Sequence, residues 1–562
     1  MENKKFCLIQ IPSEAPVIGM VGAKLLPLSL GIIAGYLRSH DIPLDMVDLS
    51  PRISEIYGKG DIDKLARFYE KDSVYDYVIN GRNDMYESFA KDILKGVDWD
   101  DYDIIGISIG PSLSFLQIFF AMILGAYIKK YFNKTLIFGG FNLTTYVNYQ
   151  PTYNEFFWYL YSYLGYIIAG PGEESLTKLI QGLRAGRTLK DDGIRLIDGL
   201  CYVNQNKDLV FNKFSLRKIV MPDFDGLITK DYVNYIKKEA YEETMVALYR
   251  YPFAFTNKLT KHQSGDGYEP YLIIPYIFNY NCPYNCSFCT ESDPEAPRPV
   301  IGTIPQVVDE IKQLKEKYQS PYFYFINNAI NLSKRYVRSF CEALLEEHMG
   351  IYWSDCARFD NTDRELLELM YRAGCRKLVF GMESGSTDMV RLINKKIDLS
   401  YAEQVLEWCS QIGIWAELEV IIGMPGETQE YFEESYQYIK RNLKNISFFT
   451  TNHYIPMPGS IMYRYPEKYN ISIKKEKDLD EIIKQDKALL AHGENPGNYN
   501  NTMRVYSYSE ISGRDGNAIF QETEKRIQRI RKLLLGKVMN EMLYYANKGY
   551  LGLNDLKDLK DL

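Results

Sequence analysis

Short apolar segments typical of β-strands alternate with longer helical patterns along most of this 562-residue chain. Residues 1–215 contain five such strands, predicted at residues 6–12, 44–50, 103–110, 135–140 and 166–169. Helices are predicted at 27–40, within a polar insertion at 51–100, at 114–131, and from residue 174 onward. This alternation predicts an α/β domain with a parallel, doubly wound sheet, which binds ligands at the carboxyl ends of its strands.

Small residues lie at the carboxyl ends of the predicted strands of this first domain, at the edge where a ligand is expected. They are Gly106, Ser108, Gly139, Gly140, Gly170 and Gly172. Residues without bulky side chains let a large ligand approach the backbone closely. Taken singly, each is better explained as an ordinary turn residue, so only the series indicates a site.

A second series of six strand–helix units is predicted between residues 266 and 465. Its strands lie within residues 271–278, 321–327, 351–357, 376–386, 415–428 and 446–460. Six such units predict a closed or partial parallel barrel with ligands at the carboxyl ends of the strands. Two of its helices are expected to begin with capping boxes, Thr362 with Glu365 and Ser400 with Glu403.

Three cysteines with the spacing C-x3-C-x2-C, Cys282, Cys286 and Cys289, follow the first strand of this second series. Three thiolates can hold three irons of a four-iron cluster and leave the fourth iron open. A zinc knuckle is the alternative, but structural zinc is usually closed by four ligands and the next cysteine is Cys341. The other cysteines are scattered in apolar segments, which is typical of a reducing compartment and predicts a cytoplasmic protein.

Charge and hydropathy exclude two classes of partner. The chain has 66 Lys and Arg against 73 Asp and Glu, a net charge of −7, which argues against a protein that coats nucleic acid. No apolar run near residue 1 is long enough for a signal peptide, and segment 114–128 is too short for a membrane span. We therefore expect no nucleic-acid partner and no membrane insertion.

The cysteine spacing, with Phe288 before the last cysteine, resembles the signature of the radical S-adenosylmethionine (SAM) superfamily. Upstream, P-L-S-L-G at 27–31, G-I-S at 106–108, G-G-F-N at 139–142 and G-P-G-E-E at 170–174 together resemble the cobalamin-binding domain that precedes many radical SAM domains. The resemblance implies a Rossmann-like cobalamin-binding domain (1–215), a linker (216–265), a partial (βα)6 radical SAM barrel (266–465) and a helical C-terminal domain (466–562).

The same resemblance assigns candidate cofactor-binding residues. Glu383 and Ser384, in G-M-E-S-G-S, would hold the ribose or methionine part of SAM, and Gly423 and Glu427, in G-M-P-G-E-T, would meet its adenine. Further candidates are Phe288, Asn327, where relatives often have Asp, and Arg358 as a partner for the SAM carboxylate. Each of these polar residues could instead be structural.

Three positions are left open or depart from the pattern. Cys356 lies near the active-site end of a strand, where a core role is favoured for this spare thiol, and His453 with Tyr454 could contact substrate or donate a proton, although a packed pair is favoured. Cobalamin domains that ligate cobalt carry a D-x-H-x-x-G loop after the first strand, and this chain has SEAPVIGMVGAKLL there. We therefore expect that no histidine of the protein ligates a bound cobalamin.

The resemblance implies an enzyme with a [4Fe-4S] cluster, SAM and cobalamin. Such an enzyme cleaves SAM to a 5′-deoxyadenosyl radical and methylates an unactivated carbon through methylcobalamin. A radical cyclisation or rearrangement with the same cofactors is the first alternative, and a non-enzymatic metal-binding module is the second. The implied partners are a small-molecule or peptide substrate and an electron donor of the flavodoxin or ferredoxin type.

Overall fold

The computed structural model describes residues 4–13, 17, 24–58, 60–110, 114–227, 229–237, 260–261, 268–291, 298–492 and 505–547, and for 235–237, 260–261, 268–269 and 537–547 the backbone alone. The chain divides into two compact units. The first comprises Met1–Val21, Pro27–Ile228 and Lys475–Val505, and the second comprises Gly22–Leu26, Thr229–Lys474 and Tyr506–Leu562.

The first unit is built on a five-stranded parallel sheet with the order β2-β1-β3-β4-β5. Its elements are β1 (Lys5–Gln10), α1 (Leu28–Arg38), β2 (Leu44–Asp48), α2 (Ser50–Ile56), α3 (Ile62–Ala66), α4 (Lys71–Asn80), α5 (Asp84–Ile93), β3 (Tyr102–Ser108), α6 (Phe115–Phe132), β4 (Thr135–Gly139), α7 (Phe141–Val147), α8 (Asn154–Tyr159), β5 (Tyr166–Ile167), α9 (Glu173–Arg184), α10 (Asp192–Arg195), β6 (Cys201–Val203) and β7 (Leu209–Phe211). The order reverses between β1 and β3, as in doubly wound sheets, so the predicted architecture is confirmed.

Helix α6 forms the centre of the core of this unit. It is long and apolar enough to cross a membrane, but 72% of it is buried inside the unit. A helix that is apolar on every side belongs in a protein core, and α6 packs on α4, α5 and β4. Gly125 gives room to the Phe138 ring, which a Cβ there would approach to 2.9 Å. The predicted buried helix is therefore confirmed.

The second unit is built on a six-stranded parallel sheet with the order β11-β14-β15-β16-β17-β18. Its elements are β8 (Asn234–Lys237), β9 (Thr260–Lys261), β10 (Tyr268–Tyr271), β11 (Ile273–Tyr276), β12 (Asn279–Tyr280), β13 (Val300–Ile301), α11 (Ile304–Tyr318), β14 (Tyr322–Phe325), α12 (Lys334–Glu346), β15 (Tyr352–Ala357), α13 (Arg364–Arg372), β16 (Cys375–Glu383), α14 (Thr387–Leu392), α15 (Leu399–Ile412), β17 (Trp415–Ile422), α16 (Gln429–Asn442), β18 (Phe448–His453), α17 (Ile461–Arg464) and β19 (Ile471–Lys475). Strands in chain order with helices between them make the predicted partial (βα)6 barrel.

Two predicted helix caps are wrong by one and two residues. Helix α13 is capped by Asp363, which accepts a hydrogen bond from the Leu366 amide at 2.8 Å, whereas Thr362 bonds to the Arg358 carbonyl. Helix α15 is capped by Asp398, which accepts from the amides of Ser400 and Tyr401. In both places an aspartate one or two residues from the expected hydroxyl residue takes the capping position.

The C-terminal region is helical, as predicted, and it is shared between the units. Helix α18 (Leu479–Ala491) belongs to the first unit, while β20 (Tyr506–Glu510) and the long α19 (Gly516–Asn547) belong to the second. Strand β20 pairs with β19, and α19 contacts β17, β18 and α16. The predicted Asn-rich loop at 494–502 and the residues after 547 lie outside the described residues.

Candidate active site

The three cysteines lie on a loop that leaves the barrel just after its first strand. The short pair β12 and β13 holds the base of this loop, and Asn281 begins it in the left-handed region, with φ of 61°. None of the three forms a disulfide bond. Cys286 is buried, the other two are partly buried, and burial raises the pKa of Cys282.

The donor set of this loop fits a three-thiolate cluster in number and type. In the part of the chain that the structure describes, no three His, Cys, Asp or Glu side chains are yet arranged to hold a metal ion. Positive charges are already at hand, because the guanidinium of Arg358 and the ammonium of Lys395 interact electrostatically with Cys286.

Asn327, expected to bind cofactor, ties the base of the loop to the barrel. Its side-chain oxygen accepts hydrogen bonds from the amides of Phe278 and Asn279, both at 2.9 Å. Its amide group donates to Asp355 at 2.6 Å, a buried carboxyl whose pKa burial raises to about 7. All polar groups of this side chain are therefore engaged within the protein.

The Glu383 turn lies at the carboxyl end of β16, after an irregularity in the pairing of β16 with β17. Glu383 itself has φ of 64°, a strained conformation for a residue with a side chain. Its carboxylate accepts a hydrogen bond from Lys395 at 2.8 Å, and both residues are buried. Ser384, the next residue, is buried against Ser435 of α16, with the two hydroxyl oxygens 2.9 Å apart.

Arg358, at the end of β15, connects the cysteine loop to the Glu383 turn. Its guanidinium donates to both carboxylate oxygens of Asp360, at 2.9 and 3.2 Å, and to the carbonyl of Lys395 at 3.0 Å. It also lies 3.5 Å from the ring centroid of Tyr284, a residue of the cysteine loop. This is a cation–π contact, so Arg358 fixes the loop from one side.

The segment 393–396, which sequence reasoning missed, fixes the same loop from the other side. The Ile393 carbonyl accepts from the Ser287 amide at 2.9 Å, and the Asn394 side chain donates to the Asn285 carbonyl at 2.7 Å. The Lys395 ammonium lies 5.8 Å from the centre of the Phe288 ring. In the sequence this segment shows only two adjacent lysines shortly after a short helix. No periodic pattern distinguishes such a pair from the lysines of a solvated loop, so the segment could not be recognised.

The Gly423 turn, at the carboxyl end of β17, is covered by the C-terminal segment. A Cβ on Gly423 would lie 2.2 Å from the Thr523 hydroxyl of α19, and the Tyr508 hydroxyl donates to the Gly423 carbonyl at 2.7 Å. Glu427 accepts from the Gly423 amide and from Arg526 of α19, at 2.9 and 2.8 Å. Burial raises the pKa of Glu427 to about 7.

The residues left open occupy two places in the barrel. His453 Nε2 lies 2.5 Å from Glu524 of α19, and its ring stacks on Phe520, so it pairs with the C-terminal helix. Cys356 is half-buried on β15, and burial raises the pKa of its thiol to about 12, helped by the charges of Asp355 and Glu419. The structure therefore does not place Cys356 and His453 in one cluster.

The small residues of the first unit divide into edge and interior positions. Gly106 lies inside β3, where a Cβ would meet the Phe6 ring at 2.4 Å, so its expected place at a strand end is wrong. The others, Ser108, Gly139, Gly140, Gly170 and Gly172, lie at the carboxyl ends of β3 and β4 and after β5. Gly140 and Gly170 have φ values of 110° and 85°, which a residue with a side chain rarely adopts, so both positions require glycine.

Buried amides at this edge were not expected from the sequence. Gln117 of α6 donates to the carbonyls of Pro12 and Gly110, at 3.3 and 3.2 Å, and accepts from Asn142 at 3.2 Å. Gln10, at the end of β1, donates to the Ser108 carbonyl at 3.3 Å. These two uncharged side chains therefore connect the backbone segments that meet where the strand order reverses.

Residues 276–439 match the radical SAM superfamily, a range that contains the cysteine loop and the Glu383 and Gly423 turns. The chain carries a radical SAM domain. Such a domain implies a [4Fe-4S] cluster and SAM. An uncharacterized methyltransferase of Pyrococcus horikoshii is 22% identical over 497 residues, which are 86% of this chain and 88% of that protein.

Two solved structures share the fold. The radical SAM methyltransferase TsrM of Kitasatospora setae, solved with tryptophan substrate and a SAM analogue, matches with a TM-score of 0.55 at 14% identity, over 94% of this chain and 89% of that chain. The cobalamin-dependent SAM radical enzyme OxsB, solved with aqua-cobalamin and SAM, matches with a TM-score of 0.52 at 15% identity, over 88% of this chain and 57% of that chain. The order of a doubly wound domain, a radical SAM barrel and a helical C-terminal region is therefore also found in TsrM and OxsB.

Proposed function

We propose that this chain is a cobalamin-dependent radical SAM methyltransferase that methylates an unactivated carbon of a small-molecule or peptide substrate. The observation that carries the proposal is the loop of three cysteines at the carboxyl end of the first barrel strand, held between Arg358 and segment 393–396. The named methyltransferases among the relatives support the reaction type.

The residues of the barrel have separate parts in this proposal. Cys282, Cys286 and Cys289 hold three irons and leave one iron for SAM. Arg358 and segment 393–396 keep the loop at a set distance from the Glu383 turn. When bound, the cluster delivers an electron that cleaves SAM, and cobalamin carries the methyl group that is transferred.

The glycine edge of the first unit is the proposed cobalamin site. Gly139, Gly140, Gly170 and Gly172 leave the backbone open at the carboxyl ends of the strands, where doubly wound sheets bind their ligands. Gln10 and Gln117 hold that backbone in place by hydrogen bonds. The four-part division at 215, 265 and 465 and an electron donor of the flavodoxin or ferredoxin type belong to the same proposal.

Anaerobic reconstitution tests the cluster and its reaction. We expect the wild-type protein to bind about four irons per chain, to retain cobalamin, and to cleave SAM when dithionite is added. Replacing Cys282, Cys286 and Cys289 together by Ala should remove the iron and reduce SAM cleavage to background. Cys341→Ala is the matched control, because this cysteine is buried on α12 away from the loop.

The products distinguish the remaining alternatives. Methylated product with S-adenosylhomocysteine supports methyl transfer, whereas 5′-deoxyadenosine with an unmethylated, altered product supports a radical rearrangement. A triple variant that retains its iron and still cleaves SAM would overturn the proposal. Zinc in place of iron would support the metal-binding module instead.

A further inference from the structure

Arg358 is a buried arginine with one nitrogen that the protein does not use. Only 7% of the residue is exposed. Its Nε and Nη2 donate hydrogen bonds to the Asp360 carboxylate and to the Lys395 carbonyl. Its third nitrogen, Nη1, carries two further N–H donors, and they have no acceptor among the residues that the structure describes. The donors of a buried arginine are normally bound, so Nη1 indicates a bound group that accepts from it.

The guanidinium of Arg358 is held in one place by its surroundings. The backbone of Arg358 exchanges two hydrogen bonds with the buried side chain of Asn331, at 2.8 and 2.7 Å. Asp360 binds one edge of the guanidinium, at 2.9 and 3.2 Å. The guanidinium carbon lies 3.5 Å from the centre of the Tyr284 ring, and the Tyr284 hydroxyl accepts from Asn361 at 2.9 Å. The position of this positive charge is therefore fixed by the protein itself.

The cysteine loop supplies acceptors for this nitrogen. Tyr284 stands between Cys282 and Cys286 in the sequence, so the guanidinium lies against the segment that joins two of the three thiols. Both of these thiols interact electrostatically with Arg358. Lys395 is a second cation that interacts with the same two thiols. A cluster held by these cysteines would therefore lie within the electric field of the Arg358 charge.

Positive charge and N–H donors beside an iron–sulfur cluster raise its reduction potential. Reduction adds one electron to a cluster that three thiolates already make negative, and a fixed cation stabilises the added charge. This step rests on the proposed function, which supplies the cluster and a donor of single electrons. We propose that Arg358 is a positioning residue that raises the reduction potential of the cluster, with Nη1 as a hydrogen-bond donor to its sulfur atoms. The opposite charge of Asp360 limits the effect.

Two substitutions that change the local charge in opposite directions test this role. On the reconstituted protein, Arg358→Met should lower the ratio of reduced to oxidised cluster at a fixed potential by about tenfold, a shift of about 59 mV for one electron. Asp360→Asn removes the opposing carboxylate and should raise the potential. Arg358→Lys keeps the charge but loses the planar group, so its potential should lie between those of the wild type and Arg358→Met. A redox titration followed by EPR, with iron analysis, measures these quantities without turnover.

Arg391→Met is the matched control. Arg391 is also an arginine paired with an aspartate, Asp388, on the helix that precedes segment 393–396. The two side chains are 75% and 57% exposed, so water screens their charges. The potential of this variant should equal that of the wild type.

The sign of the shifts separates an electrostatic role from a structural one. Shifts of Arg358→Met and Asp360→Asn in the same direction, or no shift in Asp360→Asn, would overturn the proposal. Asp360→Asn decides the question if Arg358→Met binds too little iron, because it leaves the guanidinium beside the cysteine loop. Unshifted potentials in variants that bind about four irons overturn the role of Arg358 alone, whereas a wild-type protein without iron overturns the proposed function as well.

Discussion

The two parallel sheets of this protein present opposite chemistry at the carboxyl ends of their strands. The barrel edge carries buried charged pairs, Glu383 with Lys395 and Glu427 with Arg526. The corresponding edge of the first unit carries no such buried pair among the residues that the structure describes: it is formed mainly by glycines and by the amides of Gln10 and Gln117, with the acids Asp48 and Glu173 beside them. Similar strand–helix architecture therefore supports two different kinds of binding surface.

The difference follows from the cost of burying charge. A charge removed from water must be held by a partner at a defined distance, so a charged edge suits a small polar ligand bound at a few fixed atoms. An edge formed by exposed backbone without charged pairs does not have to hold partners at fixed distances, so it suits a large ligand held by contact area. The proposed ligands, SAM at the barrel and cobalamin at the first sheet, differ in this same way.

The largest effect on stability is expected from breaking a charged pair of the barrel edge. Arg526→Met should destabilise the second unit by about 3–5 kcal/mol, because it leaves the buried Glu427 carboxylate without its cation. Thermal unfolding of the purified protein measures the loss. Arg529→Met is the control on the same helix: its pair with Glu433 is 42% and 39% exposed, and its loss should cost about 0–1 kcal/mol. Equal costs for the two variants would contradict a special role for buried charge at this edge.

The glycine edge of the first unit should bind cobalamin less well when a side chain is added to its backbone. Gly139→Ala places a methyl group on the backbone at the end of β4, where the nearest atom is the Ile168 carbonyl oxygen at 3.3 Å. We expect the fold to tolerate this change and cobalamin retention to fall by about tenfold, equivalent to about 1.4 kcal/mol. Absorbance of cobalamin after gel filtration measures retention.

Gly536→Ala is the control for that prediction. This glycine lies on the exposed surface of α19 with no atom near a Cβ, so alanine should leave cobalamin retention unchanged. Retention in Gly139→Ala equal to that of the wild type would show that the ligand does not approach the backbone there.

A smaller effect is expected in the pH dependence of stability. Burial, together with the charges of Glu417 and Glu383, raises the pKa of Glu419 on β17 to about 8. A carboxyl group that holds its proton more tightly when folded stabilises the protein below about pH 4.5, and this contribution disappears as the pH rises through 8. Glu419→Gln should therefore reduce the fall in melting temperature between pH 5 and 8.5.

Exposed Glu430, replaced by Gln, provides the comparison for the pH experiment. Its variant should follow the wild-type curve. A Glu419→Gln curve as steep as that of the wild type would mean that Glu419 does not titrate in this range.

The architecture was predictable from the sequence because it depends on repeated local patterns. Each βα unit is predicted by an apolar strand segment followed by a helical pattern of about twelve or more residues. The cysteine loop is predicted by the spacing of its cysteines. The two caps were wrong because each expected hydroxyl residue has an aspartate within two residues that can cap the helix equally well. Asp363 lies directly after Thr362, and the extended backbone of Asp363 decides between them.

The pairs at the barrel edge were not predictable for a different reason. Arg526 meets Glu427 across 99 residues of sequence, and no local pattern connects them. Lys395 reaches Glu383 only because two left-handed residues turn the chain around it. Gly106 was counted among the residues at strand ends, although the predicted strand at 103–110 already contained it, because the sequence does not show that the Phe6 ring packs against it. Such contacts depend on tertiary packing, which the sequence pattern alone does not specify.

The contact between α19 and the Gly423 turn has a consequence for biosynthesis. Translation proceeds from the N-terminus, so all six strands of the barrel leave the ribosome before Thr523 and Arg526 do. Until then the Gly423 turn has no Thr523 hydroxyl above it, and Glu427 has no arginine partner. During synthesis the Gly423 turn therefore exists for a time without the cover that Tyr508, Thr523 and Arg526 give it in the finished protein.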